Sequence, residues 1–199
     1  MVVKRFVLFA VLCGCAMASG SDPFVTETPA YVRNDWGRWF DADKDCQDTR
    51  QEVLIAESVV PVTFKDGKTC IVESGEWLDP YTNETFTDPS ALDIDHMVAL
   101  HDAHDSGGFA WETEKKRLYF NNLDDPKHLI AVSASANRSK GDRGPDEWLP
   151  PNPAFRCQYI KDWSSVKSNW ELTMAETESA MVGYMLRVCD SGCVPALPQ

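Results

Sequence analysis

Two short apolar runs limit what this chain can fold into more than any other feature of its sequence. Residues 92–98 read L-D-I-D-H-M-V and residues 129–132 read L-I-A-V. Runs of this length and composition predict short β-strands. The second run leads into small residues at 133–140, and Gly141 follows, so we expect a helix that ends at that glycine. The predicted central unit is therefore a strand, a connection, a second strand and a helix.

Three polar side chains in this unit could carry chemistry. Asp95 and His96 are adjacent in the first run, and Asn137 lies in the predicted helix. Carboxylate and amide oxygens are ligands that Mg²⁺ accepts, and a histidine with a pKa of about 6.5 is a general base at neutral pH. Because adjacent strand residues point to opposite faces, Asp95 and His96 can reach one site only at a strand end or bulge.

The rest of the chain predicts a mixed α+β domain. Other helices are predicted at residues 43–57, 99–105, 112–120, 155–170 and 174–189, and two more strands at residues 59–64 and 69–72. We expect residues 75–81 to form an irregular connector. Helical spacing predicts that two sets of side chains face the core: Tyr159, Trp163, Val166 and Trp170; Met181, Tyr184 and Val188. We also expect the apolar side chains in or just before the helix at 112–120 to face the core: Trp111, Leu118 and Phe120.

The beginning of the chain predicts secretion. A basic start, an apolar centre and the small residues Ala16 and Ala18 are typical of a signal peptide cleaved after residue 18. A bacterial lipid-attachment box at residues 12–15 is the alternative. We predict a leader (1–18), an arm (19–42), one domain (43–190) and a tail (191–199). No later run is long enough to span a bilayer, so we expect no membrane partner. We expect the secreted protein to be a monomer.

Cysteine usage agrees with an oxidising compartment. Seven cysteines are present, and five remain after the predicted leader is removed. Proximity in sequence pairs Cys46 with Cys70, and Cys157 with either Cys189 or Cys193. One cysteine is then left over.

Charge is distributed unevenly along the chain. The formal net charge is −12, which argues against non-specific binding of polyanions by overall charge. Residues 114–143 nevertheless carry seven basic and four acidic side chains. The predicted central unit is therefore locally basic within an acidic protein.

Several motifs in this chain resemble those of the HNH family, the ββα-metal nucleases. They are D-H-M-V-A-L from Asp95, H-L-I-A-V from His128 and N-R-S-K-G-D from Asn137. The wider pattern is similar to secreted HNH-type proteins related to the C-terminal domain of the GmrSD restriction endonuclease. That branch carries a Cys-Gln-Asp-Thr-Arg helix, a Gly-x-Trp-x-Asp-Pro-Tyr turn and a Trp-x-Pro-Pro tail, here at residues 46–50, 75–81 and 148–151. The resemblance covers about residues 43–189.

The resemblance implies a ββα-metal core extended by an N-terminal helix, extra strands and two C-terminal helices. His96 would be the general base, and Asp95 and Asn137 would hold one divalent ion, most simply Mg²⁺, with Mn²⁺ or Zn²⁺ as alternatives. Asp93 would support the site from the same strand face. Basic side chains would contact substrate phosphates: Lys140, Arg138 and, on the first helix, Arg50.

One position departs from the family pattern. His128 stands where HNH motifs usually have an asparagine that braces the loop holding the base, and we expect it to take over that role. The predicted activity is hydrolysis of phosphodiester bonds in DNA and/or RNA with low sequence specificity. Two alternatives remain: a zinc site built from His96, His101 and His104, and a catalytically inactive secreted binding or effector protein of the same fold.

Overall fold

The computed structural model describes residues 28–192. The predicted leader, the beginning of the arm and Cys193 lie outside the described residues. The α-helices are α1 Thr49–Glu57, α2 Leu100–Asp105, α3 Thr113–Phe120, α4 Ala134–Lys140, α5 Arg156–Asn169 and α6 Glu176–Asp190. The strands are β1 Thr63–Phe64, β2 Val72–Ser74, β3 Trp77–Asp79, β4 Glu84–Phe86, β5 Leu92–His96 and β6 Leu129–Ser133. They pair as three two-stranded antiparallel sheets, β1–β2, β3–β4 and β5–β6, so the predicted α+β class is confirmed.

The central strands and helix occur where the sequence predicts them. Strand β5 pairs with β6 in a register that runs from Leu92 opposite Ser133 to His96 opposite Leu129. The Ser133 hydroxyl then caps α4 by accepting a hydrogen bond from the Ala136 amide at 3.3 Å, which ends the strand and starts the helix. Strand β5 ends at His96, so this residue lies at a strand end, as its predicted role requires.

The β3–β4 hairpin replaces the irregular connector predicted at residues 75–81. Asn83 occupies the left-handed region at its turn, with φ 62°, which asparagine tolerates. Asp79 is buried and accepts hydrogen bonds from the amides of Tyr81 at 2.8 Å and Ser133 at 3.1 Å. This carboxylate joins the hairpin to the junction between β6 and α4. The hairpin was missed because its three-residue strands are too short to show alternation.

The first helix is shorter than predicted, and both disulfides form. Helix α1 begins at Thr49 because the Asp48 carboxylate caps it, accepting from the Gln51 amide at 3.1 Å. Strand β1 is likewise shorter than predicted, and β2 overlaps its predicted range only at Val72. Cys46 is bonded to Cys70, and Cys157 is bonded to Cys189 rather than to Cys193.

The core confirms the predicted stripe on α5 and only parts of the two others, since Phe120 is buried and Trp111 and Met181 pack against the core while partly exposed. On α5, Tyr159, Trp163 and Val166 are buried as predicted. On α6 the buried residues are Val182 and Met185, with Glu178, whereas Tyr184 is exposed. The Trp163 indole donates to the Glu178 carboxylate at 2.6 Å, which turns that helix face inward. Leu118 on α3 is also exposed, and its neighbour Tyr119 is buried instead.

No described helix combines the length and the apolar character needed to cross a membrane.

The packing of α1 against the central strands makes stability depend on pH. Glu57 accepts a hydrogen bond from the Ala131 amide at 2.8 Å, and burial raises the pKa of this carboxyl to about 7. Because the folded pKa is raised, protonated Glu57 contributes stability below its unfolded pKa of about 4.5, and that contribution is lost as the pH rises through about 7. Glu57→Gln should therefore stabilise the protein by up to about 3 kcal/mol at pH ~8 and have little effect at pH ~4.

Urea denaturation at both pH values measures this effect, and Glu73→Gln is the matched control. Glu73 is exposed, so its substitution removes the same charge without relieving a buried carboxylate. Equal effects of the two substitutions at the higher pH would contradict the prediction.

Candidate active site

His96 lies at the end of β5 and is held in one orientation. Its Nε2 donates a hydrogen bond to the Phe120 carbonyl at the end of α3, at 3.0 Å. The Trp39 indole stacks on the imidazole with ring centroids 5.5 Å apart and planes 9° from parallel. The histidine side chain is almost completely buried. Two separate segments, the arm and α3, therefore fix the ring on strand β5.

The protonation of His96 follows from these contacts. Because Nε2 donates to a carbonyl, it carries the proton, and Nδ1 is the basic nitrogen. No hydrogen bond joins Nδ1 to any residue that the structure describes. Burial, followed by the neighbouring His128, holds the pKa of His96 well below its usual value, so the ring is neutral at physiological pH.

His128 supports the same helix end but does not bond to His96. Its Nε2 donates to the Tyr119 carbonyl at 2.6 Å, next to the carbonyl that holds His96. Its own carbonyl accepts from the Met97 amide at 2.9 Å, immediately after His96 in the chain. The two imidazoles meet edge to face at 5.9 Å, and burial lowers the pKa of His128 to about 4. His128 therefore contacts the main chain next to His96, at Met97, and next to Phe120, at Tyr119.

A cavity of about 260 Å³ opens beside His96. Three more of the predicted site residues line it: Asp95, Asn137 and Arg138. Arg33, from the arm, also lines this cavity, and sequence reasoning missed it. The arm has no helical or strand period, so no pattern signalled that Arg33 belongs to the site. Both arginines are exposed.

The structure places Lys140 differently from the prediction. Its side chain is fully buried, and its Nζ donates to both Asp95 carboxylate oxygens at 2.9 and 2.7 Å and to the His96 carbonyl at 2.8 Å. The Tyr81 hydroxyl donates to the same carboxylate at 2.7 Å. An ammonium whose donors are all satisfied inside the protein is not available to a substrate phosphate. Burial raises the pKa of Asp95, and the charge of Lys140 opposes that rise.

Asp93 and Asn137 form a second polar pair next to the cavity. The Asn137 amide nitrogen donates to Asp93 Oδ2 at 3.2 Å, which leaves the amide oxygen free for another partner. Asp93 is partly exposed. Unlike Asp95, it has no ion pair with any described residue. It therefore contributes the uncompensated negative charge beside Asn137.

Two other expectations do not fit the structure. The Arg50 guanidinium donates to the Pro89 and Leu92 carbonyls, both at 2.9 Å, and ties α1 to the start of β5 instead of facing the cavity. The alternative zinc site is not formed, because His96, His101 and His104 are not among the described groups whose ligand atoms lie close enough together to hold one ion. His101 bonds to Asp142 at 2.7 Å and His104 to the Pro29 carbonyl at 2.7 Å, while His96 bonds to Phe120.

Comparisons with known proteins identify the family to which these features belong. Residues 48–182 match the family model described as GmrSD restriction endonucleases, C-terminal domain. A protein of Arthroderma benhamiae, described as an uncharacterized secreted protein, is 37% identical over 160 residues, which cover 80% of this chain and 76% of the relative. No solved structure matches the chain. The relative is described as secreted, and the two disulfides are typical of an extracellular protein. The protein is therefore secreted, as predicted. The chain belongs to the family of GmrSD restriction endonuclease C-terminal domains and carries a nuclease-like domain.

Proposed function

We propose that the protein is a secreted HNH-type endonuclease that hydrolyses phosphodiester bonds of DNA and/or RNA with the help of one divalent metal ion. One observation carries the proposal. A neutral, rigidly held His96 lines a cavity that it shares with Asn137 and with two exposed arginines, Arg33 and Arg138. A base, an oxygen ligand and two phosphate-binding groups are thereby brought together at one place.

His96 acts as the general base in this proposal. The Phe120 carbonyl fixes the tautomer with the proton on Nε2, so Nδ1 accepts a proton from the attacking water. The lowered pKa keeps the ring unprotonated and ready to accept a proton at neutral pH. Stacking on Trp39 restricts rotation of the ring, which keeps Nδ1 oriented from one reaction cycle to the next.

Arg33 and Arg138 bind the phosphates of the substrate. They come from different segments, the arm and α4, and both line the cavity with exposed guanidinium groups. Planar guanidinium groups suit bidentate contacts with phosphate oxygens. Phosphate contacts position a nucleic acid but carry no sequence information. We therefore infer low sequence specificity.

The donor set of the site fits a hard divalent cation such as Mg²⁺. Asp95 accepts three hydrogen bonds, from Lys140 and Tyr81, and a carboxylate offers about four lone-pair sites, so one remains. Asp95 and Asn137 would hold the ion. Because the ammonium group of Lys140 compensates the negative charge of Asp95, Asp93 would supply the negative charge that favours binding of a cation. When bound, such an ion supplies Lewis-acid stabilisation of the phosphate and of the leaving oxygen.

The second candidate function is a catalytically inactive secreted binding or effector protein. The net charge of −12 favours it, since an acidic protein repels polyanionic substrates at long range. The shared cavity favours catalysis instead, because a binding protein does not need a neutral histidine with a free basic nitrogen.

The proposed function is tested by cleavage of supercoiled plasmid and of RNA. Cleavage should stop in EDTA and return with Mg²⁺, and Asp93→Asn should raise the Mg²⁺ concentration for half-maximal rate by about 10- to 100-fold. Thermal stability of this variant should match that of the wild type, because Asp93 is partly exposed.

Asp124→Asn is the matched control, since Asp124 is an exposed aspartate that does not line the cavity. An unchanged Mg²⁺ requirement in Asp93→Asn would remove this residue from the site. Wild-type protein that fails to cleave either nucleic acid at any Mg²⁺ concentration would favour the binding protein.

A further inference from the structure

The segment that leads into α1 has an arrangement of acids that the proposed nuclease does not use. Residues 41–52 read D-A-D-K-D-C-Q-D-T-R-Q-E, with Asp41, Asp43 and Asp45 at the first, third and fifth positions and Glu52 at the twelfth. This is the spacing of carboxylate ligands in the twelve-residue calcium loop of EF-hands. The segment also passes directly into a helix, since Asp48 caps α1.

The backbone of this loop already gathers its carboxylates. One oxygen each of Asp41, Asp43 and Asp45 lies within 4.8 Å of the others. Oxygens that share one Ca²⁺ at 2.3–2.6 Å can be at most about 5 Å apart, so the three fit one coordination sphere. The Asp41 carboxylate also accepts the Cys46 amide at 2.9 Å, which folds the loop back on itself.

The sixth position of the loop has the backbone that calcium loops require. Cys46 has φ 78°, in the left-handed region that the invariant glycine adopts at that position of EF-hands. The disulfide to Cys70 anchors the residue at this point. A cysteine in place of glycine is thus compatible with the loop geometry.

Glu52 provides an independent indication that the loop binds a cation. The Glu52 side chain is partly exposed, but its Oε2 has an accessible area below 1 Å² and no hydrogen-bond partner among the residues that the structure describes. A buried carboxylate oxygen without a donor is costly, and a missing cation is one explanation for such a group. Glu52 lies in the first turn of α1, directly after the segment that holds the three aspartates.

We propose that residues 41–52 form a Ca²⁺ site in which the carboxylates of Asp41, Asp43, Asp45 and Glu52 are ligands. Four carboxylates on a flexible loop suit Ca²⁺, which accepts six to eight oxygens in variable geometry. Mg²⁺ requires near-ideal octahedral geometry and retains several waters, so it fits the loop less well. The site is separate from the cavity at His96 and does not depend on the proposed nuclease activity.

The ion would organise the arm that covers His96. Asp41 follows directly after Trp39 and Phe40, and Trp39 stacks on the His96 imidazole. The Phe40 carbonyl accepts hydrogen bonds from the Thr49 amide at 3.3 Å and its hydroxyl at 3.2 Å, which closes the loop at its base. Calcium bound inside this loop would thus stabilise the segment that positions Trp39.

The test is the melting temperature of the full secreted protein after EDTA treatment and dialysis, measured against added CaCl₂. At about 10 mM Ca²⁺ we expect a rise of roughly 3 to 10 °C, since extracellular modules bind with Kd of about 10⁻⁴–10⁻³ M. Glu52→Gln should abolish the rise. Without Ca²⁺ this variant should melt at or above the wild type, because it removes a carboxylate whose Oε2 has no hydrogen-bond donor among the described residues.

Two control variants locate the ion. Glu73→Gln removes an exposed carboxylate outside the loop and should keep the full rise, and so should Asn137→Ala in the His96 cavity. Absence of any Ca²⁺-dependent rise in the wild type would overturn the proposal. It would also be overturned by a rise that survives Glu52→Gln and disappears in Asn137→Ala, since the ion would then be bound at His96.

Discussion

The His96→Gln variant should cleave plasmid DNA about 100 to 10,000 times more slowly than the wild type at saturating Mg²⁺, the range that a positioned general base contributes. A glutamine amide can still donate a hydrogen bond to the Phe120 carbonyl, so the local packing is preserved. It has no basic nitrogen to accept a proton from water. The loss should therefore appear in the rate, with only a small change in melting temperature.

His101→Gln is the matched control for this substitution. His101 is only partly buried and bonds to Asp142, on a different cavity from that of His96. Its substitution should leave the cleavage rate within a few-fold of the wild type. If the two variants cleave equally fast, His96 is not the base and the assignment of the site is wrong.

The Lys140→Met variant should lose about 3–5 kcal/mol of unfolding free energy, because it leaves the buried Asp95 carboxylate without its counter-charge. Methionine fills a similar volume and forms helix well, so the loss reports the ion pair rather than a cavity. The measurement is urea denaturation at neutral pH. Asp95→Asn/Lys140→Met should recover part of the loss, since the double variant buries no charge.

Arg138→Met separates a buried structural cation from one that contacts substrate. Arg138 lies on the same helix and is exposed at the cavity, so its loss should weaken binding of nucleic acid and leave stability unchanged. A Lys140→Met variant with wild-type stability and weakened substrate binding would instead restore Lys140 to the phosphate-binding role that the sequence motif predicts.

The central unit was predictable because its pattern is strong and local. The apolar runs of β5 and β6 and the glycine after α4 place these elements within a few residues of their observed ends. The hairpin at β3–β4 was not predictable by periodicity, because its strands are three residues long and Pro80 follows the first of them. The α6 stripe was only partly predicted, because nothing local shows that Trp163, on another helix, buries Glu178.

The sequence predicted several of the residues that line the cavity at His96 but not all of the contacts that they make. The burial of Lys140 has a local signal: it lies four residues after Ala136, so both occupy the same face of α4, and both are buried. The contribution of Arg33 has no such signal, because a contact between the arm and the cavity depends on the folding of the whole chain. The spacing of the acids at residues 41–52 is visible in the sequence, but the same residues also fit the start of a helix, which was therefore predicted to begin at residue 43.

The two carbonyls at the end of α3 have an electrostatic consequence for the chemistry at His96. A helix carries about half a negative charge at its C-terminal end, on carbonyls without intrahelical partners. Tyr119 and Phe120 direct two such carbonyls at His128 and His96. In the proposed reaction, the positive charge that His96 gains with a proton would develop against the negative end of a helix. The main chain of α3 would thus supply a partial counter-charge at the place that a carboxylate takes beside histidine in a Ser-His-Asp triad.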